Sequence, residues 1–199
     1  MQPNKAFHVQ DEVVLLAHLA RYPFMTLTAA PAGELLVAQA PMIARRRDGR
    51  LMLDFHLSRG NALTPFITAG FTAVVVSQGP ETYVSPDWFG EDDQVPTWNY
   101  VSVEAHGRVV SMGQDGLVTL LDDLSAQEEA RLEPKPPWTR HKMSDGRFEA
   151  MTQMIVGGSL LIDRLEGTFK LAQPRSAKAR AGVIAALGDH PIAQLMADL

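Results

Sequence analysis

Apolar and polar residues alternate along much of the chain, which is typical of strands that bury one face. The pattern predicts about seven strands, mostly in antiparallel hairpins. They are predicted at residues 24–28, 34–40, 42–47, 51–56, 71–77 (resuming at 83–84), 97–112 and 160–171. Asp48-Gly49 supplies the positive φ angles of a tight hairpin turn. Glu166-Gly167 predicts a bulge in the last strand.

Helical spacing of apolar residues replaces the alternation in four places. Helices are predicted at 11–22, about 114–132, about 144–156 and in a C-terminal segment at about 176–199. Gly157-Gly158 is expected to end the third helix, and Asp189 to cap a turn in the C-terminal segment. The sequence therefore predicts a mainly β fold with peripheral helices (α+β). A small closed antiparallel β-barrel in a single domain over residues 1–199 fits this order best.

Composition narrows the class of protein. The chain has no run of about 18 apolar residues and no signal-peptide pattern, so we expect no membrane span and a cytoplasmic location. The absence of Cys excludes thiolate zinc sites, iron–sulfur clusters and cysteine nucleophiles. A net charge of −5 argues against a broad nucleic-acid-binding face, since that binding requires Lys and Arg to neutralise phosphates.

Common catalytic motifs are missing from the sequence. No Gly-x-Gly-x-x-Gly follows a strand, and neither Gly-x-Ser-x-Gly nor a Walker sequence occurs. The six His form no His-x-x-x-His pair, and the acidic loop at 85–96 lacks calcium-loop spacing. The sequence therefore predicts no catalytic residues and no metal site.

The stretch from Gln78 to Gly107 holds two of the three Trp and two of the three Tyr. Two interpretations stay open: a flat-walled pocket for a planar ligand such as a flavin, or a loop clamped onto a β-core by its own aromatics. Alternation from residue 97 onward puts Val101, Val103 and Ala105 on a core face. The opposite face, with Trp98 and Tyr100, suits a ligand wall or a subunit interface.

A second candidate lies where the strand at 51–56 ends in Ser58-Arg59-Gly60-Asn61. Asn61 is expected to cap a short helix, and free backbone N–H groups beside Arg59 would seat a phosphate. The alternative is a plain cap with a solvated arginine.

Four segments, in chain order, resemble a known family: QGPETYVSPDWF, VPTWNYVSVEAHG, EGTFKLAQ and AGVIAAL. They are similar to the PaiB family, whose members are often described as FMN-binding negative transcriptional regulators. The resemblance runs from about residue 24 to about residue 187. It implies a flavin-reductase-like split β-barrel that forms a homodimer, with FMN in the groove between the two subunits.

The resemblance also implies which residues hold FMN. Arg59 and Asn61 match a family segment expected at the phosphate, and the run at 98–100 matches one expected near the flavin ring. Lys170 and Gln173 would reach the phosphate or the ring edge, and Gln78 offers a further polar group there. The expected cofactor residues are Arg59, Asn61, Gln78, Trp98, Asn99, Tyr100, Lys170 and Gln173.

The chain departs from the family pattern at three positions: Ser58 replaces Ala, Ala62 replaces Pro, and Pro174 replaces Asn. Pro has no N–H and no side-chain amide, so Pro174 would weaken cofactor binding if the Asn contacts FMN.

Several functions fit these observations. The first is an FMN-binding negative transcriptional regulator that acts indirectly or by flavin or redox sensing. The alternatives are an FMN-dependent oxidoreductase and a haem-binding or haem-degrading protein with His56 or His106 as the iron ligand. Direct DNA binding is disfavoured, since no helix-turn-helix with a basic recognition helix is evident.

Overall fold

The computed structural model describes residues 2–199, and its central feature is a closed antiparallel β-barrel of six strands. Among these residues the strands are β1 (His8–Val9), β2 (Phe24–Ala29), β3 (Leu36–Arg47), β4 (Arg50–Ser58), β5 (Phe71–Val84), β6 (Thr97–Ser111) and β7 (Ile155–Lys170). The sheet order is β1-β7-β4-β3-β2-β5-β6, and pairing of β6 with β7 closes the barrel. The predicted fold class, a mainly β split barrel with peripheral helices, is confirmed.

Five α-helices accompany the barrel in the described residues. They are α1 (Glu12–Arg21), α2 (Gln114–Ala130), α3 (Arg147–Thr152), α4 (Ala177–Leu187) and α5 (Pro191–Ala197), with short 3-10 helices at Lys5–Phe7, Thr64–Phe66, Pro86–Phe89 and Arg140–Lys142. The start of α1 is capped by Asp11, whose Oδ1 accepts from the Val13 N–H at 2.9 Å. The start of α5 is capped by His190, whose Nδ1 accepts from the Ile192 N–H at 3.2 Å, and not by Asp189 as predicted.

The helix predicted at 144–156 is much shorter in the structure. Only Arg147–Thr152 is helical, and β7 begins at Ile155. Gly157 and Gly158 lie inside β7 and do not end a helix. A Cβ on Gly158 would lie 2.9 Å from Cζ of Phe55, so glycine is needed there for strand packing.

Two predicted breaks in strands are also absent. Residues 36–47 form the single strand β3, because Pro41 removes only its own donor and the Met42 N–H bonds to the Pro23 carbonyl at 2.8 Å. β5 continues through Gln78-Gly79-Pro80. β7 continues as a strand through Gly167, and the bulge predicted there stays a prediction. A Cβ on Gly167 would lie 2.4 Å from Cδ2 of Leu15, so this glycine admits the side chain of α1.

The structure divides into two compact units. Unit 1 contains the chain up to His18, Ser77–Glu104 and Leu165–Leu199. Its core joins the segment around Phe89 to α4 and α5, where Val183, Ile192 and Met196 are buried. α4 lies so close that a Cβ on Gly182 would be 2.2 Å from the Trp88 carbonyl oxygen. The prediction of one domain over residues 1–199 stays a prediction.

Unit 2 contains Leu19–Val76 and Ala105–Arg164. Its core is formed by apolar side chains of β2, β3, β4 and β7, with α2 adding Leu117 and Leu120. β2 pairs with β3, β3 with β4, and β4 with β7, all antiparallel. Thr26 of β2 lies opposite Gln39 of β3, and Leu53 of β4 lies opposite Leu160 of β7.

A buried carboxylate in unit 2 explains the basic cluster at residues 45–47. Asp54 is fully buried, and its Oδ2 pairs with Arg47 and, at 3.1 Å, with Nε of Arg45. Ser159 of β7 donates to Oδ1 at 2.5 Å. Arg45 also binds Asp123 of α2 at 2.6 Å. Two of these arginines therefore neutralise a buried charge and attach α2 to the sheet, while Arg46 bonds to the turn carbonyl of Gly49.

His18 is a buried histidine in unit 1 whose protonation would oppose folding. Its Nε2 bonds to the Ser77 carbonyl at 3.1 Å, and its ring contacts that of Phe169. Burial lowers the pKa of His18 below its usual 6.5, although the hydrogen bond to Ser77 opposes this shift. The unfolded chain therefore takes up a proton at a higher pH than the folded one.

We therefore expect stability to be complete above pH 6.5 and to fall as the pH drops below it. In the His18→Gln variant, urea midpoints at pH 8 and at lower pH should differ by less than in the wild type. An equal difference in both proteins would show that His18 does not carry the effect.

No helix in residues 2–199 is both long enough and apolar enough to cross a bilayer.

Candidate functional site

β6 separates residues that the family motif places side by side. Successive side chains of a strand point to opposite faces. Asn99 is only 1% exposed and lies on the core face with Val101, whereas Trp98 is 52% exposed and Tyr100 half-buried on the opposite face. Because of this alternation, Asn99 and Trp98 do not share one wall of a site within a single chain.

The outer face of β6 carries an exposed aromatic pair. Trp98 meets Tyr83 of β5 edge to face, with ring centroids 6.2 Å apart. Burial raises the pKa of the neighbouring Tyr100, and the negative charge of Glu104 raises it further, so its hydroxyl remains a proton donor at neutral pH. An exposed aromatic pair beside a phenol can cover a planar ring or join a second subunit.

The core face of β6 opens on a cavity of about 250 Å³ in unit 1. It is lined by Asn4, Phe7, Phe89, Thr97, Asn99, Lys170, Ala172, Pro174 and Arg175. Nζ of Lys170 donates to Oγ1 of Thr97 at 2.6 Å. The Arg175 guanidinium lies 4.9 Å from the centroid of the Phe89 ring.

The charges around this cavity have one sign. Its lining includes two cations, Lys170 and Arg175, and no carboxylate. Burial lowers the pKa of Lys170, and the positive charge of Arg175 lowers it further. An anion would relieve the repulsion, so the donor set fits a phosphate or the electron-rich edge of a flavin. Thr97 and Arg175 were not among the residues predicted from the sequence. Thr97 is two residues from Asn99, so strand alternation already places both on the same face of β6.

Gln173 uses its amide to fix the chain after β7. Its Oε1 accepts from the Leu171 N–H at 2.9 Å, and its Nε2 donates to the Phe169 carbonyl at 2.5 Å. These bonds span Ala172, whose φ is +63°. Positive φ is costly for a residue with a Cβ, so the bonds of Gln173 stabilise a strained turn. Gln78, on β5, donates to the Val101 carbonyl at the long distance of 3.5 Å.

The segment at 58–61 in unit 2 lacks the free backbone donors that were expected. The N–H of Arg59 bonds to the Met154 carbonyl at 2.9 Å, and that of Asn61 to the Ser58 carbonyl at 2.9 Å. The Gly60 N–H donates to Oγ of Ser58 at 3.3 Å. The expectation of a backbone phosphate seat is therefore wrong, because each of these groups already has a partner.

Side-chain donors remain at this segment. Nε of Arg59 donates to the Gln153 carbonyl, and no other bond of this guanidinium is found within residues 2–199. Asn61 accepts from the Leu63 N–H at 3.0 Å through Oδ1, which leaves its Nδ2 amide group as a donor. The N-cap of the short helix Thr64–Phe66 is Leu63 and not Asn61 as predicted. Arg59 is exposed, and a guanidinium held at Nε presents its two terminal nitrogens as a fork suited to phosphate.

The predicted residues thus form three groups. Lys170 and Asn99 line one cavity, Trp98 and Tyr100 share the opposite face of β6, and Arg59 and Asn61 lie in unit 2. Gln78 and Gln173 bond to backbone groups of unit 1. The groups contain the cations, amides and flat rings that an FMN molecule requires, so the residues present fit the cofactor in their chemistry.

A family model described as "Putative FMN-binding domain" matches residues 1–164. The chain belongs to this family. FMN, the predicted cofactor, is the one that the family description names. A curated relative, "Protease synthase and sporulation protein PAI 2" of Bacillus subtilis, is 25% identical over 197 residues, which cover 98% of this chain and 94% of the relative. The resemblance to PaiB is therefore confirmed.

Solved structures share the fold. The FAD and heme binding protein from Mycobacterium smegmatis is 18% identical, with a TM-score of 0.61 over 92% of this chain and 82% of its own. The flavocytochrome Anf3 from Azotobacter vinelandii is 15% identical, with a TM-score of 0.57 over 91% of this chain and 78% of its own. Likeness at this identity establishes a split barrel for the present chain.

Proposed function

We propose that the chain binds FMN at its phosphate through Arg59, and that it acts as a PaiB-type regulator which senses flavin or redox state. The observation that carries the proposal is the exposed Arg59 fork at the end of β4, inside the segment that matches an FMN-binding family. Lys170 and Asn99 line a separate cavity in unit 1, where they would meet polar atoms of an anionic ligand. Bound FMN would supply the redox chemistry, and the chain would bind and orient it.

Arg59→Met should weaken FMN binding about 10- to 100-fold, since a charge-assisted hydrogen bond to phosphate contributes about 1.5–3 kcal/mol. Riboflavin, which lacks the phosphate, should bind both proteins equally. Quenching of flavin fluorescence measures both affinities. The matched control is Arg50→Met on the same strand, where the arginine makes only a surface ion pair with Asp163 at 3.3 Å. If Arg59→Met and Arg50→Met bind FMN alike, phosphate is held elsewhere.

We propose further that two chains associate through the outer face of β6. The support is the exposed Trp98–Tyr83 pair, since a large aromatic surface on a strand is typical of an interface. A partner chain would also bring its own Asn99 and Trp98, which lie on opposite faces of β6 within one chain. In this arrangement Trp98 covers the flavin and contacts the other subunit.

Trp98→Ala should lower FMN affinity about 10-fold and shift the molecular mass in solution toward that of the monomer, because it removes the aromatic side chain that the proposed interface would bury. Light scattering with a fluorescence titration measures both. Val95→Ala, which shortens another exposed apolar side chain of the same unit, is the control. A Trp98→Ala protein with unchanged mass and unchanged FMN affinity would favour the clamped-loop interpretation.

The regulatory role is proposed to be indirect. A net charge of −5 disfavours contact with DNA phosphates. We expect no gel shift of an upstream DNA fragment by the FMN-loaded protein at ~50 mM salt. A shift that disappears with added salt would replace the indirect role with direct binding. The predicted cytoplasmic location stays a prediction.

A further inference from the structure

A second cavity lies in unit 2, and none of its lining residues is among those expected to hold FMN. It occupies about 340 Å³ between β4, α2 and the segment before β7. Its lining residues are His56, Leu121, Asp122, Ser125, Trp138, Arg140, Met143, Phe148, Met151, Thr152 and Ile155. An adjoining cavity of about 430 Å³ shares Asp122, Ser125, Trp138 and Arg140, so the two are compartments of one groove.

Flat and adaptable side chains form most of the wall. Trp138 and Phe148 present aromatic rings, and the Arg140 guanidinium lies 5.0 Å from the centroid of the Phe148 ring. Met143 and Met151 add flexible thioethers, which adjust their shape around a bound molecule. Trp138 and Met151 are partly exposed, so the cavity is open to solvent on one side. Such a wall favours a planar, apolar ligand.

The charged groups of this cavity neutralise each other. Nε of Arg140 lies 3.2 Å from Oδ1 of Asp122, and these two are the only residues with a formal charge in its lining. Among the described residues that line this compartment, no cation is left unpaired to hold an anion, and no carboxylate is left unpaired to hold a cation. The FMN phosphate would therefore find no partner here, and an uncharged ligand fits best.

His56 provides the polar anchor. Its Nδ1 is buried and has no hydrogen-bond partner among residues 2–199. Burial lowers the pKa of His56, so the ring is neutral at physiological pH and each nitrogen can donate or accept according to its tautomer. The imidazole is half-buried and lines the cavity, so it offers a ligand hydroxyl a hydrogen-bond donor or acceptor.

We propose that this cavity is a binding site for a small, uncharged, planar aromatic molecule whose hydroxyl group hydrogen-bonds to the imidazole of His56. The proposal goes beyond FMN binding and does not depend on it. It gives the protein a second ligand, which binds on the outer side of β4.

The hydrogen bond is tested with two probes, 2-naphthol and naphthalene, titrated into FMN-saturated protein and followed by calorimetry. We expect 2-naphthol to bind with a dissociation constant of about 100 μM, given the affinity typical of small ligands. It should bind about 5- to 10-fold more tightly than naphthalene, the ratio for one net hydrogen bond. In His56→Leu the two probes should bind equally. No binding of 2-naphthol at about 1 mM, or an unchanged ratio in His56→Leu, would overturn the proposal.

The location is tested by filling the cavity. Ser125→Phe on α2 places a ring inside the groove and should weaken 2-naphthol binding at least about 10-fold. Thr119→Phe lies on the exposed face of the same helix and should leave binding unchanged. Circular dichroism checks that both variants fold. Equal binding by a folded Ser125→Phe protein would place the probe elsewhere, and the His56→Leu comparison stands even if this variant does not fold.

Discussion

Replacing Gly107 by Ala should lower the free energy of unfolding by about 3 kcal/mol or more. A Cβ at this position would lie 1.9 Å from the carbonyl oxygen of Leu161 and 3.2 Å from Cα of Ile162. Both contacts are with backbone atoms, so no side-chain rotation can relieve them. Gly107 is in β6 and Leu161 in β7, the two strands whose pairing closes the barrel. An added methyl group would therefore force these strands apart.

Urea unfolding of Gly107→Ala measures this loss. The matched control is Gly60→Ala, because a Cβ on Gly60 has only Oγ of Ser58 within 4 Å, at 3.8 Å, and its φ is not positive. That substitution should change stability by less than about 0.5 kcal/mol. A Gly107→Ala protein with the wild-type midpoint would mean that β6 and β7 do not approach so closely.

Replacing Asp54 by Ala should cost about 3 kcal/mol, because it leaves arginines facing a buried site without their counter-charge. Asp54 is fully buried, pairs with Arg45 and Arg47, and accepts from Ser159. The expected cost lies at the low end of the range for a broken buried pair for two reasons. The Arg47 side chain is 44% exposed and can turn to water, and Arg45 keeps its bond to Asp123.

The control for this variant is Asp163→Ala. Asp163 is 63% exposed and pairs with Arg50 at 3.3 Å, so its removal should cost less than about 1 kcal/mol. Urea midpoints of the two variants should therefore differ clearly. Equal midpoints would show that the Asp54 network contributes no more than a surface ion pair does.

The strands of the barrel could be predicted from the sequence because the alternation of apolar and polar residues can be read within each strand alone. The β2, β4 and β6 predictions each lie within two residues of the observed bounds. The errors fall at Pro41, Gly79 and Gly157, where a residue that usually ends a strand or helix is accommodated by a contact distant in sequence. A Cβ on Gly79 would lie 2.7 Å from Cε1 of His18, and no local pattern reports this approach.

For the expected cofactor residues, the sequence predicts the strand face of some side chains but not their hydrogen-bond partners. Alternation along β6 already requires Asn99 and Trp98 to face opposite ways, whatever motif joins them. By contrast, the bond from the Arg59 N–H to the Met154 carbonyl depends on the packing of β4 beside the chain before β7. The amide of Gln173 is likewise used by backbone groups of a strained turn, which only the structure reveals.

The most direct test of the central claim is a titration of the purified protein with FMN, followed by flavin fluorescence. The account predicts saturable quenching with a dissociation constant of about 1 μM or tighter, and weaker binding of riboflavin. Absence of quenching at ~100 μM FMN would contradict it.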